Sequence, residues 1–122
     1  MFFIPTSVEV TAQQVCDQII AAFEGGSNHW IHEVRPVELA TGVPHNPWYG
    51  HCSVFDGDFL IIILAVEDDT QWQLKPDNVR QGLTLMAEKY PVQFKDLIED
   101  NGDAETADVF LQLCLFEEVV YG

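Results

Sequence analysis

The residues best suited to recognition chemistry lie in a short stretch around two consecutive glycines. The stretch reads Glu24-Gly25-Gly26-Ser27-Asn28-His29-Trp30. Its amide, imidazole and indole groups can donate hydrogen bonds, and the indole can stack on a flat ligand. His32 and Arg35 follow closely and add a second imidazole and a cation. This stretch is therefore the first candidate for a ligand or partner site.

The sequence shows no catalytic or metal-binding pattern of recognisable spacing. His29 and His32 are close, but a zinc site normally takes four ligands, and no second close pair of ligands follows. The His-Cys-Ser run at 51–53 is expected on a strand, where neighbouring side chains point to opposite faces, which disfavours a nucleophile and base. The glycines at 25–26 follow a helix, whereas phosphate-binding glycine loops precede one. We expect no metal, no cofactor and no catalysis, and hence a protein that acts by binding.

A second group of recognition residues falls in a loop predicted for residues 40–50. Its glycines and prolines disfavour regular structure, and it carries Trp48 and Tyr49. Two aromatic side chains in a loop favour packing onto the body of the protein, and the alternative is stacking on a ligand. The candidate ligand- or partner-binding residues are Glu24, Gly25, Gly26, Asn28, Trp30, Arg35, Trp48 and Tyr49.

The charge of the chain is strongly unbalanced. Asp and Glu number 20 against 5 Lys and Arg, which gives a formal net charge of -15. Nucleic-acid binding relies on Lys and Arg to neutralise phosphates, so we expect no direct nucleic acid and no acidic membrane surface as partners. A high net charge can serve solubility alone. The sharper interpretation is a surface directed at a basic partner.

Acidic residues gather across two predicted C-terminal helices and the turn between them. The members of this predicted surface are Asp96, Glu99, Asp100, Asp103, Glu105 and Asp108. Carboxylates along helix surfaces can imitate a duplex, which carries one charge about every 1.7 Å of its axis. Acids near helix starts also have a structural explanation, because they interact favourably with the helix dipole. The sharper hypothesis is a partial nucleic-acid mimic.

Hydrophobic periodicity predicts an α+β fold, with a small antiparallel sheet of three to five strands packed by an N-terminal helix and C-terminal helices. A capping box at 11–14 begins a helix that runs to residue 24. Strands are predicted at 30–38, 51–55, 59–67 and 71–75, with Asp56-Gly57 as a hairpin turn. Helices are predicted after Pro76, after Pro91 and from 104 to about 119. We expect residues 1–122 to form a single compact domain.

The cysteines and the apolar runs indicate the cellular compartment in which we expect the protein. The three cysteines include no C-x-x-C pair and predict neither a disulfide framework nor a zinc ribbon. The longest apolar run, 59–66, is too short to cross a membrane. The first residues lack the basic region and cleavage site of a signal peptide. These features favour a soluble protein of a reducing cytoplasm.

Three segments carry a resemblance to a known family. They read A-F-E-G-G-S-N-H-W at 22–30, T-A-D-V-F-L-Q at 106–112 and V-V-Y-G at 119–122. The chain resembles small acidic accessory proteins of phages, prophages and plasmids that carry E-G-G-x-N-[YH]-W, A-D-x-[FW]-L-Q and V-[VI]-[YF]-G in this order. His29 stands where Tyr is common in that family. The resemblance spans nearly the whole chain and implies a context, because such proteins are frequently inhibitors of bacterial defence in the host bacterial cytoplasm.

Two binding functions follow from these expectations. In the first, the acidic surface engages a basic host defence protein or complex that handles nucleic acid. In the alternative, the protein is a sponge for a nucleotide-type immune signal, with an aromatic ring stacked on the base and Arg35 on a phosphate. The shortage of cations weighs against a multiply charged ligand unless a homodimer pools them. The apolar C-terminal helix could support such a dimer.

Overall fold

A computed structural model describes residues 1–2, 7–39, 54–55, 57–66 and 70–122. The described helices and strands follow in chain order: α1 Ala12–Ala21, a π-helical turn Ala22–Gly26, β1 Ile31–Glu38, β2 Leu60–Ala65, β3 Gln71–Leu74, α2 Pro76–Lys89, α3 Pro91–Ile98 and α4 Ala104–Phe116. This order confirms the predicted α+β class, with three antiparallel strands, an N-terminal helix and C-terminal helices.

The sheet is an antiparallel meander in which β2 is the central strand, between β1 and β3. Burial alternates along β2, because successive side chains of a strand point to opposite faces. Ile61, Ile63 and Ala65 are buried on the face that meets the helices, and the intervening side chains are half-buried. In the described residues, only the face that meets the helices is fully buried.

The predicted hairpin around Asp56-Gly57 is wrong in its first strand. Val54 and Phe55 lie in a short helical turn rather than in a strand, and residues 51–53 and Asp56 lie outside the described residues. The place beside β2 is taken by β1, which arrives from earlier in the chain. An Asp-Gly pair signals a local turn, whereas the choice of strand partner depends on which apolar faces meet in the folded chain.

The capping box at the start of α1 is confirmed. Thr11 Oγ1 accepts a hydrogen bond from the Gln14 backbone N–H at 3.1 Å, and the Thr11 N–H donates to Gln14 Oε1 at 2.9 Å. Gln14 Nε2 also donates to the Ile98 carbonyl oxygen at 2.9 Å. One side chain therefore both begins α1 and joins it to the end of α3.

The cysteines differ from expectation in one respect. Cys16 is fully buried on the apolar face of α1 and is disulfide-bonded. Cys114 is a free thiol whose pKa is raised by complete burial. The sequence did not predict this disulfide, and cysteine usage therefore does not argue for a reducing compartment.

None of the helices in the described ranges is both long enough and apolar enough to span a lipid bilayer.

Helix α4 is the element on which the others converge. It contacts α1, the π-helical turn, α2, α3 and β3. Every residue from Thr106 to Cys114 is buried, so this helix is covered on more than one side. Asp103 caps its start by accepting from the Thr106 backbone N–H at 2.9 Å and from Thr106 Oγ1 at 3.0 Å. The helix ends at Glu117, which adopts a left-handed conformation.

Gly82 allows α2 to approach α4 closely. It is buried in the middle of α2, and a Cβ atom at this position would fall on Cys114 Sγ and close to the Cys114 backbone. A helix-interior glycine normally costs stability relative to alanine. Here α2 and α4 can pack this closely only because residue 82 has no side chain.

Gly82→Ala is expected to destabilise the protein by about 1–3 kcal/mol, because overpacking at the crossing outweighs the better helix propensity of alanine. Urea denaturation of the two chains measures the difference in free energy of unfolding. Thr84→Ala, at an exposed position of the same helix, is the control and should change stability by less than about 0.5 kcal/mol. Cys114→Ala in the Gly82→Ala background should recover part of the loss. An equally stable Gly82→Ala chain would contradict the close crossing.

Candidate functional site

Asp108 is a buried carboxylate surrounded by hydrogen-bond donors. Its Oδ1 accepts from Ser27 Oγ and from Trp30 Nε1, each at 2.7 Å. Its Oδ2 accepts from Gln112 Nε2 at 2.9 Å and lies 3.6 Å from His29 Nε2. A charge is stable inside a protein only when polar partners replace water. Asp108 is only 9% exposed, so it is an internal residue rather than part of the predicted acidic surface.

Gln112, one helical turn after Asp108, holds the C-terminal tail. Its Oε1 accepts from the backbone N–H groups of Val120 and Tyr121, each at 2.8 Å. Its Nε2 donates to Asp108 and to the Tyr121 carbonyl oxygen, which is 2.9 Å away. Because the side chain is fully buried, these bonds satisfy an amide that would otherwise be costly to enclose. The tail is thus bonded to the same network as the chain after α1.

Trp30 is a core residue. It is 2% exposed and lies in an aromatic cluster with Trp72, Phe116 and Tyr121. The Tyr121 ring stacks on it with centroids 5.3 Å apart and an interplanar angle of 2°. Trp72 and Phe116 pack edge-on at 5.7 and 5.3 Å. Trp30 therefore presents no free ring face on which a nucleobase could stack.

The two glycines before this tryptophan have different environments. A Cβ atom on Gly26 would fall on the Ala104 carbonyl oxygen, so Gly26 lets the π-helical turn pack against the start of α4. Gly25 faces open space. The turn closes through the Ser27 N–H, which donates to the Ala22 carbonyl oxygen at 2.9 Å. Close packing against the start of α4 therefore explains the glycine at position 26, and a bound ligand is not needed to explain it.

The remaining candidate binding residues are not brought together. Glu24 and Asn28 are exposed beside the turn. Arg35 lies on β1 and forms an ion pair with Glu33 at 2.9 Å. That hydrogen bond lowers the pKa of Glu33 and raises the pKa of Arg35. Residues 48 and 49, the aromatic pair of the predicted loop, lie outside the described residues.

Three cavities lined by described residues lie away from the candidates at 24–30 and from Arg35. Three adjoining cavities of about 320, 380 and 520 Å³ follow one side of α2, and Arg80 lines each of them. Arg80 is itself paired with Asp77. Across the described ranges, no three His, Cys, Asp or Glu side chains are grouped to hold a metal ion.

The other five predicted acids lie at the corner where α3 turns into α4, and this set is called the α3–α4 acidic corner. Its members are Asp96, Glu99, Asp100, Asp103 and Glu105, of which all but the half-buried Asp96 are exposed. In the part of the chain that the structure describes, ion pairs are made by Glu33, Asp77 and Asp108, and none involves these five. The corner is therefore a surface rich in carboxylates, none of which makes an ion pair among the described residues.

No protein-family model, curated protein or solved structure matches this chain.

The three segments that carry the resemblance meet in one place. Residues 22–30 supply Ser27 and Trp30, residues 106–112 supply Asp108 and Gln112, and residues 119–122 supply Tyr121 to the hydrogen-bond and aromatic contacts described above. Their spacing in the sequence is thus explained by packing. Gln112 was not singled out from the sequence, although a glutamine four residues after an aspartate in an otherwise apolar run is a signal of a buried polar pair.

Asp108→Asn is expected to destabilise the protein by about 2–4 kcal/mol, because the amide removes a charge-assisted acceptor and turns a donor toward Gln112 Nε2. Urea denaturation followed by tryptophan fluorescence measures the change in free energy of unfolding. Glu105→Gln, at an exposed position of the same helix, is the matched control and should stay within about 0.5 kcal/mol of the parent. Equal stabilities for the two variants would refute the buried network.

Tyr121→Ala is expected to cost about 1–3 kcal/mol of stability, because it removes the ring that covers Trp30. The exposed indole should then shift its fluorescence emission to longer wavelength. Tyr121→Phe keeps the ring and is the control, with emission and unfolding free energy expected to match the parent. An unshifted emission in the alanine variant would show that the tail does not cover Trp30.

Proposed function

We propose that this protein is a non-enzymatic binding protein of the phage anti-defence type, which acts in the host bacterial cytoplasm. Its α3–α4 acidic corner engages a basic host defence protein or complex that handles nucleic acid. The observation that carries the proposal is this set of carboxylates, four of them exposed and none in an ion pair among the described residues, in a chain with a formal net charge of -15.

The electrostatics of the corner suit a basic partner. A protein that holds nucleic acid presents Lys and Arg where phosphates bind, and uncompensated carboxylates are attracted to the same groups. Such a field also speeds association and makes it sensitive to salt. Hydrogen bonds from Thr106 lower the pKa of Asp103, so this carboxylate stays charged to a lower pH than an ordinary aspartate.

The backbone under the corner is held in place by local bonds. The Asn101 N–H donates to the Asp96 carbonyl oxygen at 2.8 Å, and the Glu99 N–H donates to the Lys95 carbonyl oxygen at 3.0 Å. Asp100 adopts a positive φ of 60° that reverses the chain between the two helices. These bonds order the start of the turn, which lowers the ordering cost of presenting its charges to a partner.

The alternative of a nucleotide sponge receives less support from the described residues. Trp30 is buried under Tyr121, and Arg35 is paired with Glu33. The aromatic contact and the phosphate contact that a nucleotide needs are therefore not assembled among these candidates.

The proposal is tested by neutralising the corner with Asp96→Asn, Glu99→Gln, Asp100→Asn and Asp103→Asn together. Asparagine tolerates a positive φ and caps helices well, so the fold is expected to persist. The parent should restore phage plaquing on a defence-bearing host and should capture a basic protein from nuclease-treated lysate. The neutralised chain should bind that protein at least about tenfold more weakly, since steering contributes at least this factor.

The control removes the same number of charges elsewhere, with Glu9→Gln, Glu38→Gln, Asp58→Asn and Glu88→Gln at exposed positions. Loss of plaquing and binding in the corner variant alone supports the proposal. If the corner variant restores plaquing as well as the parent, the acidic corner is not the binding surface. Equal losses in both variants would mean that overall charge, rather than this corner, governs binding.

A further inference from the structure

Asn101 and Gly102 form an asparagine–glycine pair inside the turn of the acidic corner. It is the one place in the sequence where glycine follows asparagine. Asn101 is exposed, and the pair lies in neither helix, between the end of α3 at Ile98 and the start of α4 at Ala104. Gly102 is half-buried, and the Gln18 side chain lies against the position that a Cβ atom would take. Because Gly102 has no Cβ atom, nothing on the residue itself shields its backbone nitrogen from the preceding side chain.

The hydrogen bonds of the turn leave the reacting groups uncommitted. The Asn101 backbone N–H is used, because it donates to the Asp96 carbonyl oxygen. Among the described residues, no hydrogen bond is donated by the Gly102 nitrogen and none is made by the Asn101 side-chain amide. The nucleophile and the carbonyl carbon that it would attack are therefore neighbours without competing partners.

We propose that Asn101 is a site of spontaneous deamidation in the folded protein. The Gly102 nitrogen loses its proton and attacks Asn101 Cγ, forming a carbon–nitrogen bond. The bond from Cγ to the side-chain nitrogen then breaks, and that nitrogen leaves as ammonia with the proton. The resulting five-membered imide is opened by one water molecule, at Cγ to give aspartate or at the backbone carbonyl carbon to give isoaspartate. Water is the only co-reactant, and no oxidant or reductant is needed.

The product changes the acidic corner. Each modified chain carries one more carboxylate, placed between Asp100 and Asp103. The isoaspartate form also adds one carbon to the backbone path, which lengthens the turn that fixes the neighbouring carboxylates. The chemistry stands independently of the proposed function, and only its effect on partner binding rests on that function.

The experiment incubates the purified full-length chain in mildly alkaline buffer, both native and in urea, and follows it by peptide mass mapping. In the native arm, the peptide that contains Asn101 should gain the mass that replaces NH₂ by OH and should split into aspartate and isoaspartate forms. Its rate should rise with pH, because the attacking species is the deprotonated amide. Asn28 and Asn78, which precede larger residues, are internal controls and should remain unmodified.

Asn101→Gln, at the same exposed position, should abolish the modification and leave the unfolding free energy unchanged. If Asn101 is modified in urea but not in the native chain, the folded turn prevents the attack and the proposal is overturned. Modification of Asn28 at the same rate as Asn101 would also overturn it, because the turn would then confer no selectivity. Neither result depends on whether the acidic corner binds a partner.

Discussion

The carboxylate of Asp108 is the constraint on which the rest of the structure depends. A charge at this depth is stable only with donors on all sides, and these come from both ends of the chain. Ser27 and Trp30 approach from the turn after α1, and Gln112 approaches from the same helix and holds the C-terminal tail. One buried ion thus sets the position of the turn, the tail and the aromatic cluster between them.

This arrangement separates the residues that define the fold from those available for contact. The segments with the most recognisable sequence patterns point inward, because Gly26, Ser27, Trp30 and Gln112 are used in packing or hydrogen bonding. The exposed residues of the same stretch, such as Asn28, are carried on that rigid base.

The acidic corner is attached to the same helix. Asp103 caps α4, and α4 is the element that contacts four helical segments and the sheet. Charges at the start of such a helix are held in position by the core beneath them, which reduces the ordering cost of binding. Asp103, at the cap of α4, is exposed, whereas Asp108, five residues later in the same helix, is buried and structural.

The sequence by itself determined the local elements. The capping box at Thr11, the helix after Pro76 and the strand predicted at 59–67 depend on short-range hydrogen bonding and local sequence pattern, and each was predicted correctly. Tertiary structure decided the rest. Pairing of β2 with β1, the inward direction of Asp108 and the burial of Trp30 depend on contacts between segments distant along the chain. Composition and spacing do not reveal those contacts. The sequence around a carboxylate or an indole is the same whether water or another side chain surrounds that group in the folded protein.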